Sequence, residues 1–277
     1  MKNILEQMKE TPLVFDGAMG SVLYDRGIFI NTCYDELNLT MPDLVKEIHS
    51  QYVQTDVDVI ESNTFGANRI KLRNHGLADK VRDINLAGAR LALETAGDDI
   101  YVAGSVGPCL RSGQMWQEDH REEIKAAFEE QMHALVEGGV HLLLLETFVH
   151  PEELKLAAEV ARGTDVPVCA LFHTTAFGET SLGGPIVAAA VELDQNENVD
   201  ILGINCGVGP AHAYEAVESI LPAVSKPLVV MPNAGMPKDI DGRLIYLSSP
   251  EYFTEYAKRF IELGAGGIGG CCGTTPE

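Results

Sequence analysis

Three cysteines hold the residues best placed to do chemistry. Cys271 and Cys272 stand side by side in GGIGGCCGTTPE, and Cys206 sits in GINCGVGP. Each follows a short apolar run, and glycine follows both Cys206 and Cys272. As thiolates, three cysteines suit a zinc ion, which takes sulfur at about 2.3 Å in tetrahedral geometry and keeps a fourth position open in catalytic sites. A Cys-Cys pair by itself reads instead as inert or redox-active thiols, and a Cys271–Cys272 disulfide is the redox alternative. Neighbouring strand side chains point to opposite faces, so two adjacent cysteines share one metal only where the backbone bends sharply. Gly269, Gly270 and Gly273 are expected to supply that freedom. The matching position of Cys206 favours the metal. A thiol arriving at the open position would lose its proton yet stay nucleophilic. Cys33, Cys109 and Cys169 read as structural, Cys169 lying inside the apolar run PVCALF as a small hydrophobe.

Carboxylates come next. Asp16 follows PLVF, and Glu146 follows four leucines. Together they can grip an ammonium group or act as acid and base. Asp16 also reads as a plain turn residue, whereas an unpaired buried carboxylate at Glu146 would be costly without a purpose. The backbone of Gly17-Ala18-Met19-Gly20 offers N–H groups to a carboxylate. The combination would read an α-amino acid. Asn63, Asn205 and Asn233 orient either backbone or substrate. His173 reads as a hydrogen-bonded structural histidine ahead of a ligand or base, and Trp116 as a lid residue or as loop packing.

These residues need a scaffold that brings distant segments together. Eight short runs supply one: PLVFD (12–16), VDVIES (57–62), YVAGSV (101–106), HLLLLET (141–147), PVCALF (167–172), DILGIN (200–205), PLVVMP (227–232) and GGIGG (266–270). Continuous apolar runs of this kind are parallel strands covered on both faces. Helical patterns lie between them. In TMPDLVKEIHSQYVQT, Leu44, Val45, Ile48, Tyr52 and Val53 share a face, with Thr40 and Asp43 as a start signal and Pro42 in the first turn. In REEIKAAFEEQMHALVEGG, Ile124, Phe128, Met132 and Leu135 line one side and Gly138–Gly139 stop the helix. The spacing predicts a (β/α)8 TIM barrel as a single domain over 1–277. The rival open doubly wound sheet calls for a GxGxxG loop, and DGAMGS is not one. All the candidate residues then fall at the carboxyl ends of strands, where such barrels place their active sites. After the eighth strand, Thr274 with Glu277, or Thr275 with Pro276, announces a helix that the sequence does not continue, so the barrel is expected to lack its last helix. The polar stretch 107–120 reads as a long functional loop.

Composition excludes several roles. A formal charge of −21 repels nucleic acid and anionic membranes. No apolar run reaches the roughly 18 residues of a membrane span, and charges interrupt the N-terminus, so the cytoplasm is the expected location. Six cysteines there are thiols or metal ligands rather than a disulfide framework.

DGAMGS, ESNTFGAN, ETF, GINCGVGP, PNAG and GGCCGTTPE together resemble the homocysteine S-methyltransferase family, which includes betaine–homocysteine methyltransferase and the homocysteine module of cobalamin-dependent methionine synthase. The resemblance runs from Asp16 to Glu277. It implies a (β/α)8 barrel with Zn2+ on Cys206, Cys271 and Cys272, and homocysteine held through its sulfur. It implies that Asp16 and Glu146 hold the amino group and that the loop Gly17–Ala18 holds the carboxylate; Asn63 and Asn233 are substrate-binding candidates from their own strand-end positions, with turn chemistry as the other reading. NTFGAN, PNAG and GGCCGTTPE lie nearer the methionine synthase module, which implies a methylated corrinoid protein as donor. Betaine, S-methylmethionine or another sulfonium is the alternative donor. A barrel that binds zinc and homocysteine without turnover is the alternative of another class.

Overall fold

The structure, a computed structural model, describes residues 1–111, 113–175, 178–236, 238–240 and 243–277. In chain order, helix α1 (Ile4–Glu10) leads into strand β1 (Leu13–Val14), followed by α2 (Met19–Asp25), α3 (Leu37–Thr40) and α4 (Pro42–Val53). Then come β2 (Val59–Glu61), α5 (Arg69–Leu72), α6 (Val81–Ala96), β3 (Tyr101–Val106), α7 (Arg121–Gly138), β4 (Leu142–Phe148), α8 (Pro151–Arg162) and β5 (Val168–His173). The last third holds α9 (Ile186–Gln195), β6 (Ile201–Asn205), α10 (Pro210–Ile220), β7 (Leu228–Met231), a hairpin β8 (Lys238–Ile240) and β9 (Arg243–Ile245), α11 (Pro250–Leu263) and β10 (Gly267–Ile268).

Eight parallel strands join in the order β1-β10-β7-β6-β5-β4-β3-β2. The ring closes where Phe15 bridges Val59, with the Asp58 N–H on the Val14 carbonyl at 2.8 Å and the Asp16 N–H on the Val59 carbonyl at 2.9 Å. This is the (β/α)8 barrel that the apolar runs predict. Alternation along the strands splits the core in two. Phe15, Val59, Ala103, Leu142, Leu144, Cys169, Leu171, Ile201, Val229 and Met231 fill the barrel, and Ile4 and Met8 of α1 join that cluster. Leu143, Leu145, Val168, Ala170, Leu202 and Val230 point outward to meet the helices. On α7, Ile124, Phe128, Met132 and Leu135 are all buried, and Gly139 ends the helix at φ 99°.

Local signals fared less well. The Thr40–Asp43 start signal is not used: α4 begins after Met41 with no side-chain cap, and the Thr40 hydroxyl bonds back to the Glu36 carbonyl at 3.2 Å. A competing short helix, α3, takes up that threonine. After β10 the Thr274 hydroxyl donates to the Cys271 carbonyl at 2.7 Å and accepts the Ala18 N–H at 3.1 Å, so that side chain ties the last turn to the β1 end. In the loop 107–120, Ser112 lies outside the described residues. The Cys109 and Leu110 N–H groups of that loop are held by the Glu153 carboxylate at 2.6 and 3.0 Å. Among the described residues no helix is long and apolar enough to cross a membrane.

Candidate active site at the barrel mouth

The ends of β6 and β10 bring three sulfurs together. The Sγ atoms of Cys206, Cys271 and Cys272 all lie within 4.8 Å of one another. Three ligands of a tetrahedral zinc at 2.3 Å sit about 3.8 Å apart, so this set needs only a small contraction to fit the ion. The backbone is shaped for it. Cys206 has φ 59°, a left-handed conformation rare outside glycine and found most often where function demands it. Its N–H is fixed on the Met231 carbonyl at 3.0 Å. The Cys271 N–H bonds the Pro232 carbonyl at 2.9 Å, and the Cys272 carbonyl accepts the Ala234 N–H at 2.9 Å. The bend beyond the pair falls on Gly273, with φ 82° and its N–H on Ser21 Oγ at 2.8 Å. Gly269 and Gly270 serve differently from the expectation. Neither has positive φ; a Cβ at Gly269 would sit 2.7 Å from Phe15 Cβ and 3.0 Å from the Asp16 carbonyl, and one at Gly270 would collide with Thr274. They permit close approach of β1 and the final turn.

The thiols answer one another electrostatically. Hydrogen bonds from Cys206 and then Cys271 hold Cys272 far below the ordinary thiol value. Cys271 is pushed well up by its bonds to Cys206 and Cys272 and by burial. On Cys206 the bond to Cys271 acts downward, but the bond to Cys272 and burial outweigh it. One thiolate is therefore solvated by two thiols, a donor set ready to exchange protons for a cation. The Tyr246 phenol, just after the β8–β9 hairpin, also hydrogen-bonds Cys272. Cys33, Cys109 and Cys169 are buried and apart from this cluster, as a structural role requires.

Beside the sulfurs lies a set of buried acids. Asp16, at the end of β1, is 5 % exposed; its Oδ2 accepts the Glu61 N–H at 3.0 Å and its Oδ1 has no partner. Glu146 sits in a bulge of β4, where the register with β5 shifts between Leu145 and Phe148 and Thr147 adopts φ 62°. Asn205 clamps that bulge. Its Oδ1 takes the Thr147 N–H at 2.7 Å, and its Nδ2 donates to Thr147 Oγ1 at 2.8 Å and to Glu146 Oε2 at 3.2 Å. Ser105 Oγ donates to the other oxygen of Glu146. The sequence reading passed over Glu61, the last residue of β2, whose carboxyl is in hydrogen-bond contact with Glu146. It carried the same signal as Glu146, an acid closing an apolar run. Burial raises all three: Asp16 and Glu61 go well above the ordinary carboxylate range, and Glu146 is pushed up to about 7.

The other predicted residues divide. Gly17 lies under the Tyr52 hydroxyl, which donates to the Ala18 carbonyl at 2.9 Å, while the Ala18 N–H is already taken by Thr274 Oγ1. Asn63 is spent on the scaffold, donating to the Tyr34 carbonyl at 2.7 Å and to Asn38 Oδ1 at 3.2 Å. Asn233 is 4 % exposed and its Oδ1 has no partner. His173 packs against Gly207 and shares a hydrogen bond with Ser181, and its ring also feels the Cys272 sulfur. Trp116 packs on the outer core. A cavity of about 1180 Å³ connects Asp16, Gly17 and Cys272 with Tyr246 and with Phe253 of α11.

Residues 13–277 match the protein family described as homocysteine S-methyltransferase. The methionine synthase of Mycobacterium leprae is 32% identical over 294 residues, covering 99% of this chain and 24% of the relative. The methionine synthase of Mycobacterium tuberculosis matches at the same identity and coverage. The chain thus spans about a quarter of the length of these relatives. Among solved structures, the homocysteine methyltransferase MmuM from Escherichia coli in its metallated form superposes with a TM-score of 0.80 at 24% identity, over 96% of this chain and 93% of that one, a likeness of fold.

Proposed function

The chain belongs to the homocysteine S-methyltransferase family, and from that premise we propose that it methylates the sulfur of homocysteine to give methionine, using zinc held by Cys206, Cys271 and Cys272. The observation that carries the proposal is the set of three Sγ atoms within 4.8 Å of one another at the mouth of the barrel. Bound there, zinc supplies the positive charge that keeps an incoming thiol ionised near neutral pH. The chain's own residues do the rest. Asp16 and Glu146, which have no cationic partner among the described residues, hold the ammonium group. The Gly17–Ala18 loop faces the carboxylate; since Thr274 occupies the Ala18 N–H, the Gly17 N–H is the donor left for it. Asn63 holds the loop behind Tyr34, and the free Oδ1 of Asn233 faces substrate.

Chemically, the substrate sulfur attacks the donor's methyl carbon in line. The S–C bond forms as the bond from methyl to the donor breaks, and the donor leaves with the electron pair of that bond. No proton moves in that step, so positioning supplies most of the rate and general acid–base groups are not required. The product is a neutral thioether. The methionine synthase relatives favour methionine as the product; the likeness of NTFGAN, PNAG and GGCCGTTPE to the methionine synthase module favours a methylated corrinoid protein as donor, with residues 1–277 as one homocysteine-binding unit. Metal analysis combined with methionine formation from a methylated corrinoid protein, betaine and S-methylmethionine tests the reading. One equivalent of zinc and turnover with the corrinoid donor is the expected result. A Cys206→Ser protein that kept both zinc and activity would refute it.

A further inference from the structure

Three carboxyl groups meet beneath the mouth, and their surroundings differ. Glu146 receives two neutral donors, Ser105 Oγ and Asn205 Nδ2. Asp16 receives the Glu61 N–H and keeps Oδ1 free although the residue is only 5 % exposed. Among the described residues, Glu61 receives no donor from the scaffold. It meets the Glu146 carboxyl, and its buried Oε1 has no partner. No Lys, Arg or His forms an ion pair with any of the three among the described residues. Tyr52 and Cys169, which also face the cluster, are neutral.

Two carboxyls hydrogen-bond only with a proton between them. Of the pair, the group with donors is the better anion, and the group without them keeps the proton. Burial pushes Glu61 well above its ordinary range, in agreement with that order. Asp16 Oδ1 and Glu61 Oε1 are buried acceptors with no donor among the described residues.

We propose that Glu61 is a positioning residue of the ammonium site: protonated, it donates to Glu146, holds that carboxylate toward the ligand, and turns its free Oε1 to the ligand's N–H. This rests on the reading of the chain as a homocysteine-binding enzyme. It reduces the charge facing one ammonium from three carboxylates to two. It also makes Glu61 a determinant of preference for thiols that carry an amino group.

The test uses the zinc-loaded protein and two thiols, L-homocysteine and 4-mercaptobutyrate, which lacks only the amino group. Their affinity ratio, by calorimetry, reports on the ammonium site alone. Glu61→Gln stays neutral and can still donate to Glu146, so it is expected to keep the ratio within about threefold of the parent. Glu61→Met keeps the length and loses the donor, and is expected to cut the ratio at least about tenfold. Both variants should bind 4-mercaptobutyrate like the parent, which reports an intact fold and metal. If Gln lowers the ratio as far as Met does, Glu61 acts as an anion and the proposal fails. If neither changes it, Glu61 has no part in recognition. A parent that binds neither thiol overturns the functional reading, and the proposal with it. A parent that binds both alike overturns the ammonium site while leaving the sulfur site standing. Infrared spectra of the metal-free protein give a second reading: the carbonyl band of a protonated carboxylic acid is expected in the parent at neutral pH and weakened in Glu61→Gln. Its absence from the parent would overturn the proposal.

Discussion

Asn205→Leu is the most informative single perturbation of the scaffold. Leu keeps the branching and heavy-atom count of a side chain that is 1 % exposed, so no cavity arises. It removes three hydrogen bonds at 2.7, 2.8 and 3.2 Å. The Thr147 N–H loses its acceptor in a left-handed bulge, and Glu146 loses one of its two donors. Each half-satisfied buried group costs about 1–3 kcal/mol, so the expected loss is about 2–6 kcal/mol. A chain of 277 residues unfolds with an entropy of about 0.6 kcal/mol per degree, which turns that loss into a fall of about 3–10 °C in Tm. Scanning calorimetry on the metal-free protein measures it without interference from Cys206 next door. The same change frees Glu146 from its bulge, and homocysteine affinity is expected to drop at least about tenfold. A Tm within about 1 °C of the parent together with unchanged homocysteine affinity would refute the claim that Asn205 sets the carboxylate in place.

Serine at Cys206, Cys271 or Cys272 is expected to abolish stoichiometric zinc, whereas Cys169→Ser keeps zinc and loses about 1–3 kcal/mol by burying a hydroxyl; metal analysis and denaturation separate the two classes. Gly269→Ala sets a methyl 2.7 Å from Phe15 Cβ and 3.0 Å from the Asp16 carbonyl, and should cost about 1–3 kcal/mol in urea unfolding. His49 is wholly buried with neither ring nitrogen bonded, and burial lowers it from 6.5 to about 4. Its contribution is complete above pH 6.5 and lost as pH falls toward 4, a span of about 3 kcal/mol, so His49→Leu should flatten the acid limb of the stability profile; parallel profiles would contradict this. Glu146 works the other way: raised from 4.5 to about 7, it favours the fold below pH 4.5 and withdraws up to about 3 kcal/mol as pH climbs through 7. Glu146→Gln should remove that part of the alkaline decline in the metal-free, ligand-free protein, as pH-dependent denaturation would report.

The barrel was legible because its strands are covered on both faces. Leu142 to Leu145 are all fully buried, the condition that writes a continuous apolar run. What escaped depends on partners distant in sequence. Helix α6 buries Asn85 and Gly88 on its inner face, where Asn85 bonds the Ala67 carbonyl at 2.8 Å and Gly88 abuts Thr64 and Asn38. Polar and small residues at core positions blur an apolar period. The β8–β9 hairpin pairs Lys238–Ile240 with Arg243–Ile245, too short for an alternating pattern. In the site, Cys206, Asp16 and Glu146 were readable from residue type and strand-end position. The engagement of Asn63 with Asn38 and of Thr274 with Ala18 was not, since each spans a distance no local pattern records.

On the proposed reading, the acidity of the mouth joins metal and amino-group recognition in one device. The sulfur end and the carboxyl end each hold acids in contact that cannot all ionise without help: Cys272 is solvated by two thiols, and Glu146 by Glu61. Each retained proton marks a place where a cation would stabilise the anion better. A divalent metal answers the first, and an ammonium group answers the second. Asn205, bonded to Glu146 and adjacent in the chain to Cys206, fixes the spacing between them. A thiol without an amino group engages only the sulfur end and leaves the carboxyl pair as it was. An amino acid without a thiol does the reverse. Only a ligand with both groups at that spacing satisfies both ends, so selectivity for an amino thiol follows from where the protein places its unpaired acceptors, with shape as a secondary constraint.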